Sequence, residues 1–161
     1  MIHHSQRQMN LFTDGRVHMV EYLVAQAIIC LPLFMLNLTP FAIFWVGVAT
    51  SWYTRIYHAN LRTNFGPLKY LLVTPQSHRI HHSLQSRHWD KNFGVIFSVW
   101  DRLFGTLYAN YDEYPETGLE DERFPMEQAV KGVASAWSFP AQLWFPFATI
   151  LRRLRPEPGV R

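Results

Sequence analysis

Three histidines stand close together in the run His78-Arg79-Ile80-His81-His82. On an α-helix of 3.6 residues per turn, those spacings place the imidazoles at about 0°, −60° and +40° around the axis, within one arc about 100° wide. Thr74-Pro75, just upstream, supplies an N-cap residue and a first helical residue, so the pattern predicts a helix that starts there. Three imidazoles on one arc suit an apolar core poorly, because each brings ring nitrogens that need partners, and protonated neighbours repel. They suit a metal well, since neutral imidazole is the commonest metal ligand and binds iron, zinc and copper.

A second group opens the chain. His3-His4-Ser5 repeats His81-His82-Ser83, and the first histidine of another such motif would fall one position before Met1. The expectation is therefore a chain that begins inside a motif, truncated at its N-terminus. A remnant of an affinity tag fits less well, because Ser5-Gln6-Arg7-Gln8 follows the pair. His18 and His58 flank a long apolar block and complete a candidate ligand set of His3, His4, His18, His58, His78, His81 and His82. His88, inside Arg87-His88-Trp89-Asp90-Lys91, reads as a surface residue and is left out of the set. The one cysteine, Cys30, excludes a disulfide scaffold and any cysteine-based zinc or iron–sulfur site. Seven nitrogen donors exceed the needs of one tetrahedral ion and suit two metals sharing a cage. Two irons, with zinc as a substitute, would favour dioxygen chemistry on an inert substrate.

The elements that must carry these histidines follow from the charge pattern. No Asp, Glu, Lys or Arg occurs between Tyr22 and Thr54, and 48% of the whole chain is hydrophobic. Such a run is a membrane candidate, the alternative being a buried helix pair of a water-soluble core. Pro32, Asn37, Thr39 and Pro40 interrupt it, so residues 22–57 are expected to form a membrane hairpin of Tyr22–Leu36 and Phe41–Tyr57. At 1.5 Å per residue the arms are ~22 and ~25 Å, short of a ~30 Å hydrocarbon core. A hairpin returns His58 to the side of His18. Arg7, Arg16, Arg55, Arg62, Lys69 and Arg79 flank it and none lies in its turn, the pattern of a cytoplasmic histidine face. The first twenty residues are too polar for a cleavable signal peptide.

The remainder reads as a helical cap over 58–108 followed by C-terminal helices within 126–155, giving one all-α domain over 1–161. In the cap, Phe97, Trp100, Leu103 and Phe104 are expected to pack beneath the histidine helix, with Asn92, Asp101 and Arg102 either hydrogen-bonding around the ligands to orient them or, as for most of this segment, serving as a structural cap. Residues 111–127 carry seven carboxylates against one arginine and read as a solvated acidic loop. Met126–Trp137 and Ala141–Arg155 read as two short helices split by Pro140, the second suited to a membrane interface or to packing on the domain. The net charge of +3 and pI near 9.2, without a nucleic-acid-binding motif, point to a membrane surface and not to nucleic acid.

The order of several segments resembles the fatty acid hydroxylase, or sterol desaturase, superfamily of membrane oxygenases. They are His3-His4-Ser5 with Met9-Asn10, Thr13, Arg16-Val17-His18 and Glu21; His58-Ala59-Asn60; Gly66-Pro67-Leu68; Thr74-Pro75; His78-Arg79-Ile80-His81-His82-Ser83; Asp90-Lys91-Asn92-Phe93-Gly94; and Trp100-Asp101-Arg102-Leu103-Phe104-Gly105-Thr106. The resemblance covers about residues 1–108. It implies an integral membrane dimetal enzyme that hydroxylates or desaturates a lipid such as a sterol or fatty acyl chain. Dioxygen and an electron donor, a b-type cytochrome or a ferredoxin, would take part. Carried over by position, His3, His4, His58, His78, His81 and His82 would be ligands, with His18 a further one. The family's first histidine cluster, carried on an earlier helix, has no counterpart here, and Met19 follows His18 where relatives carry proline. Two other readings remain at this stage: a zinc-dependent membrane hydrolase, which needs a carboxylate beside the metals, and a non-catalytic truncated fragment.

Overall fold

A computed structural model describes residues 3–5, 9–11, 15, 17–119 and 134–154. Among these residues it has five α-helices: α1 (Met19–Met35), α2 (Pro40–His58), α3 (Pro75–His81), α4 (Val99–Phe104) and α5 (Ala134–Leu154). Short 3-10 turns form at His3–Ser5, Gly66–Tyr70 and Ser86–His88. Among the described residues there is no strand, only the isolated bridges Leu72–Phe97 and Ser83–Thr117. The fold class is all-α.

The turn between α1 and α2 is written locally. Asn37 adopts a left-handed conformation, φ 59°, and the amides of Asn37 and Leu38 bond back to the carbonyls of Phe34 and Leu33. That is the paired closure of a helix C-terminus at which asparagine is one of few residues to tolerate positive φ. Thr39 then caps α2, its hydroxyl accepting from the Ala42 amide at 3.2 Å, and Pro40 occupies the first helical position. Pro32 does not end α1; it lies inside its last turns. The helices span ~26 and ~28 Å at 1.5 Å per residue, and among the described residues none is long and apolar enough to cross a membrane. Their apolar side chains are nonetheless open: α1 buries nothing, and Cys30, Phe34, Ile43 and Phe44 line a groove between the arms beside the turn.

Burial begins at the far end of α2. Thr54, Tyr57 and His58 are buried there, and α2 packs on α3. The Tyr53 hydroxyl donates to the Val73 carbonyl at 2.6 Å, fixing the segment that leads into α3. The interior that results is largely polar: His58, His78, His82, Thr74, Ser77, Asn92, Ser98 and Asp101 are buried, with Val73, Ile80 and Tyr57 among the apolar members. Such a core holds only if its polar groups are satisfied.

Two expectations change. α5 is one helix running through Pro140 and Pro146, not two split at Pro140; the stretch 126–133 lies outside the described residues. A proline inside a helix costs a backbone bond. Continuing the helix keeps Phe145 in contact with Leu119 and Leu143, the small apolar cluster of this end. Phe97 and the apolar residues of α4 do not pack beneath the histidine helix: Phe97, Trp100, Leu103 and Phe104 are exposed, because α4 turns Asp101 inward and its other side faces outward.

Candidate metal centre

α3 starts where its sequence directs. The Thr74 hydroxyl accepts from the Ser77 amide at 3.1 Å, and the Ser77 hydroxyl accepts from the Thr74 amide at 2.8 Å. With Pro75 at the first position this reciprocal cap stiffens a helix of only seven residues. His78 and His81 lie within it, and His82 is its C-cap. α2 delivers His58 as its last residue, and the His3–Ser5 turn delivers His3 and His4.

One ring nitrogen from each of His3, His58, His78 and His82 lies within 4.8 Å of the other three. His78 Nε2 is 2.8 Å from His58 Nε2 and 3.1 Å from His82 Nε2, and His58 Nε2 is 3.1 Å from His3 Nε2. Donors on one ion at metal–nitrogen bonds near 2.1 Å stand about 3 Å apart, so these nitrogens already have the spacing of a shared ion. The Nδ1 of His78, across the ring from the converging Nε2, is buried without a hydrogen-bond partner. His4 and His81 adjoin this group. The His4 ring stacks on His82 with centroids 4.4 Å apart and lies 4.7 Å from His81. Six of the seven candidate histidines thus form one continuous cluster, and the donor set fits a metal centre.

Two of the rings are aimed from behind. His58 Nδ1 meets the Thr54 carbonyl at 2.7 Å, one helical turn earlier, which leaves Nε2 pointing into the cluster. His81 Nδ1 meets the Lys91 carbonyl at 2.9 Å. That carbonyl is held by Asn92 and Asp101. Asn92, at φ 55°, donates from its amide to the Ser77 carbonyl at 2.9 Å and accepts from the Tyr108 amide at 2.8 Å. The Asp101 carboxylate accepts from the amides of Phe93 and Gly94 and from the Thr106 hydroxyl, at 2.7, 2.9 and 2.7 Å. Both residues act on the 91–94 segment and so on His81 indirectly. Arg102 is exposed on α4 and orients no ring among the described contacts.

His18 stands elsewhere. Its Nδ1 accepts from the Val20 amide as the N-cap of α1, its Nε2 lies 3.2 Å from the Leu143 carbonyl, and its ring contacts Phe147. The structure brings it to α5, outside the converging nitrogens. His88 is buried and not on the surface. Its Nδ1 is 2.8 Å from the Ser83 hydroxyl and its Nε2 3.1 Å from Glu113. Glu113 therefore belongs to the folded cap, although its neighbours in sequence read as a solvated loop; it also accepts from Tyr108 and Arg87 at 2.7 Å each. Tyr57, missed in the sequence, is buried with its ring 4.3 Å from that of His78. Its position one before His58, on the same helix, is a signal only once α2 and α3 are known to pack.

The geometry agrees with an independent comparison. A family model described as fatty acid hydroxylase matches residues 1–106. The chain belongs to the fatty acid hydroxylase family. The matched region contains all seven candidate histidines, while α5 lies beyond it. Over 94 residues the chain is 32% identical to an ornithine lipid hydroxylase, OlsE, of Rhizobium tropici; the match covers 58% of this chain and 28% of that protein. The chain thus spans less than a third of the length of that relative. No solved structure matches it.

Burial keeps the clustered histidines neutral. Desolvation, followed by the neighbouring imidazoles, holds His78 and His82 well below the usual histidine range. The same causes, burial and then His81 and His3, lower His4 to about 3. Burial lowers His81 as well, opposed by the Lys91 carbonyl and by Asp101. Neutral imidazole is the form that binds metal. The sign for stability follows. Below pH about 6.5 these four rings take up protons in the unfolded chain but resist them in the folded one, so each removes up to ~1.4 kcal/mol per pH unit. Chelator-treated protein is expected to be most stable above pH 6.5 and to lose stability steadily toward pH 4. A thermal unfolding temperature flat across that interval would contradict the burial of these rings.

Gly94 offers a separate check on the loop behind His81. A Cβ there would lie 2.7 Å from the Phe97 carbonyl oxygen and 2.8 Å from Asp101 Oδ2. Both atoms are fixed in the hydrogen-bonded turn. Gly94→Ala is expected to destabilise the cap by about 1–3 kcal/mol, read as a lower unfolding temperature. Gly105→Ala meets no steric contact but is strained at φ 72°.

Proposed function

We propose that this chain carries the histidine-rich catalytic portion of a membrane-bound lipid hydroxylase, with two metal ions, iron in the working enzyme, held by His3, His4, His58, His78, His81 and His82. The convergence of four imidazole nitrogens within 4.8 Å carries this reading. The donors of this group are all nitrogen, and among the described residues no carboxylate joins it, whereas a zinc hydrolase would use one as acid–base partner. The relative's name, a lipid hydroxylase, supports a lipid as substrate class. Bound iron would supply the dioxygen chemistry that turns a C–H bond into C–OH, consuming two electrons and two protons and releasing water.

The chain's own residues do the rest. Thr54 and Lys91 fix ring orientation through backbone carbonyls, burial keeps the rings unprotonated, and Tyr57 backs the cluster with an aromatic wall. Electrons would come from a b-type cytochrome or a ferredoxin. α1 and α2, exposed and apolar but too short to cross, would dip into the bilayer and return, leaving the histidines on the cytoplasmic side.

The test uses the full protein purified in detergent. Metal content by mass spectrometry is expected to show iron. Supplied with lipid, reductant and ¹⁸O₂, the enzyme should give a product that has gained one labelled oxygen. Zinc alone with dioxygen-independent turnover would replace this reading by hydrolysis.

A further inference from the structure

The outward side of the cap poses a problem that the histidine chemistry leaves open. Phe93, Phe97, Trp100, Leu103 and Phe104 are all exposed, Leu103 by 68% and Phe104 by 73%. These are not side chains on a loose loop. Asp101 points inward and receives the Phe93 and Gly94 amides and the Thr106 hydroxyl, so α4 and the segment before it present their apolar side in a fixed orientation. A contiguous apolar surface held rigidly toward the outside is a binding surface by default.

Its position identifies the occupant. The Val73 amide bonds to the Ile96 carbonyl, the Ser98 amide bonds to the Leu71 carbonyl, and the Tyr53 hydroxyl bonds to Val73. The apolar segment therefore hangs beside α2 at the level of Tyr53, five residues before His58, ~7 Å along the axis toward the charge-free part of the helix. At that same level Trp52 is exposed and the Arg55 guanidinium lies 5.6 Å over its ring. Aromatic rings paired with basic groups mark the boundary between water and lipid. Arg102, exposed on α4 itself, adds a cation suited to anionic headgroups.

We propose that Phe93, Phe97, Trp100, Leu103 and Phe104 form an apron that seats on the lipid bilayer at the headgroup–acyl boundary. The proposal rests on the membrane reading of α1 and α2. The apron's inner edge is Phe93, whose ring lies 5.4 Å from that of His81. A lipid chain leaving the bilayer there reaches the histidine cluster over apolar surface without passing through water.

Single nitroxide labels test this. In a Cys30→Ser background, cysteines are placed at Leu103→Cys on the apron, Phe34→Cys on α1 and Gln85→Cys on the exposed cap. The full protein is reconstituted into vesicles of phosphatidylcholine and phosphatidylglycerol, and accessibility to dioxygen is compared with accessibility to a water-soluble nickel chelate. The Leu103 label is expected to favour dioxygen, at a depth between those of Phe34 and Gln85. A Leu103 label as open to nickel as Gln85, with Phe34 immersed, overturns the apron and leaves the hairpin standing. Protection of Leu103 from both reagents, with spin–spin broadening, means that a second copy covers the face and also overturns it. A Phe34 label in water overturns the membrane reading itself.

Discussion

Replacing His78 with alanine is expected to strip the metal and reduce lipid oxidation to background. His78 is the hub of the inner group, with its Nε2 within 3.1 Å of the corresponding atoms of both His58 and His82. Loss of a residue that merely orients a ligand weakens metal binding by about 10–100-fold; loss of the central donor should exceed that. The informative comparison is His88→Ala. That ring is equally buried, but its partners are Ser83 and Glu113. Its removal should lower the unfolding temperature while the protein still binds metal. If His78→Ala retained both metal and turnover, the ligand set would be wrong. If His88→Ala lost metal as completely as His78→Ala, metal loss would be reporting general damage to the cap.

The second large effect separates two adjacent residues that look alike in sequence. Asp101→Ala removes a buried acceptor from two backbone amides and a hydroxyl that are themselves part-buried. A buried donor left without a partner costs about 1–3 kcal/mol. Three part-buried donors together still remove a large share of a small domain's stability of about 5–15 kcal/mol. The cap is expected to melt at or below ambient temperature in detergent, and metal should follow because the Lys91 carbonyl no longer aims His81. Arg102→Ala, on the exposed side of the same helix, should change stability by no more than about 0.5 kcal/mol. Circular dichroism melts of the two variants give the answer directly; similar melts would mean that the Asp101 network does not hold the cap.

What the sequence disclosed was local. The arc of His78, His81 and His82 follows from helical period, and the start of α3 at Thr74-Pro75 and the turn at Asn37–Pro40 follow from capping and backbone preference within a few residues. What it concealed depends on tertiary neighbours. His88 looks solvated among Arg87, Asp90 and Lys91 until Glu113 is brought back across 25 positions. Trp100, Leu103 and Phe104 resemble core residues by type, yet one inward carboxylate, Asp101, decides that they face out. Pro140 reads as a helix end because the ring forbids one backbone bond, but the contact of Phe145 with Leu119 draws the helix through it. His18 shares residue type and apparent placement with the clustered histidines, and only its contacts with Val20, Leu143 and Phe147 reveal a joint between α1 and α5.

His58 is the last residue of α2, and the helix runs unbroken from there to Pro40. A straight rod ~28 Å long is a lever. Pivoting it at the turn by about 5° would carry its far end through about 2 Å, as much as a whole metal–nitrogen bond. Among the described residues that swing is resisted by the packing of α2 on α3, by the Tyr57 ring against His78 and by the bond from Tyr53 to Val73. A tilt of the apolar arm would therefore be felt at the spacing of the clustered nitrogens, with Tyr53 among the groups that oppose it.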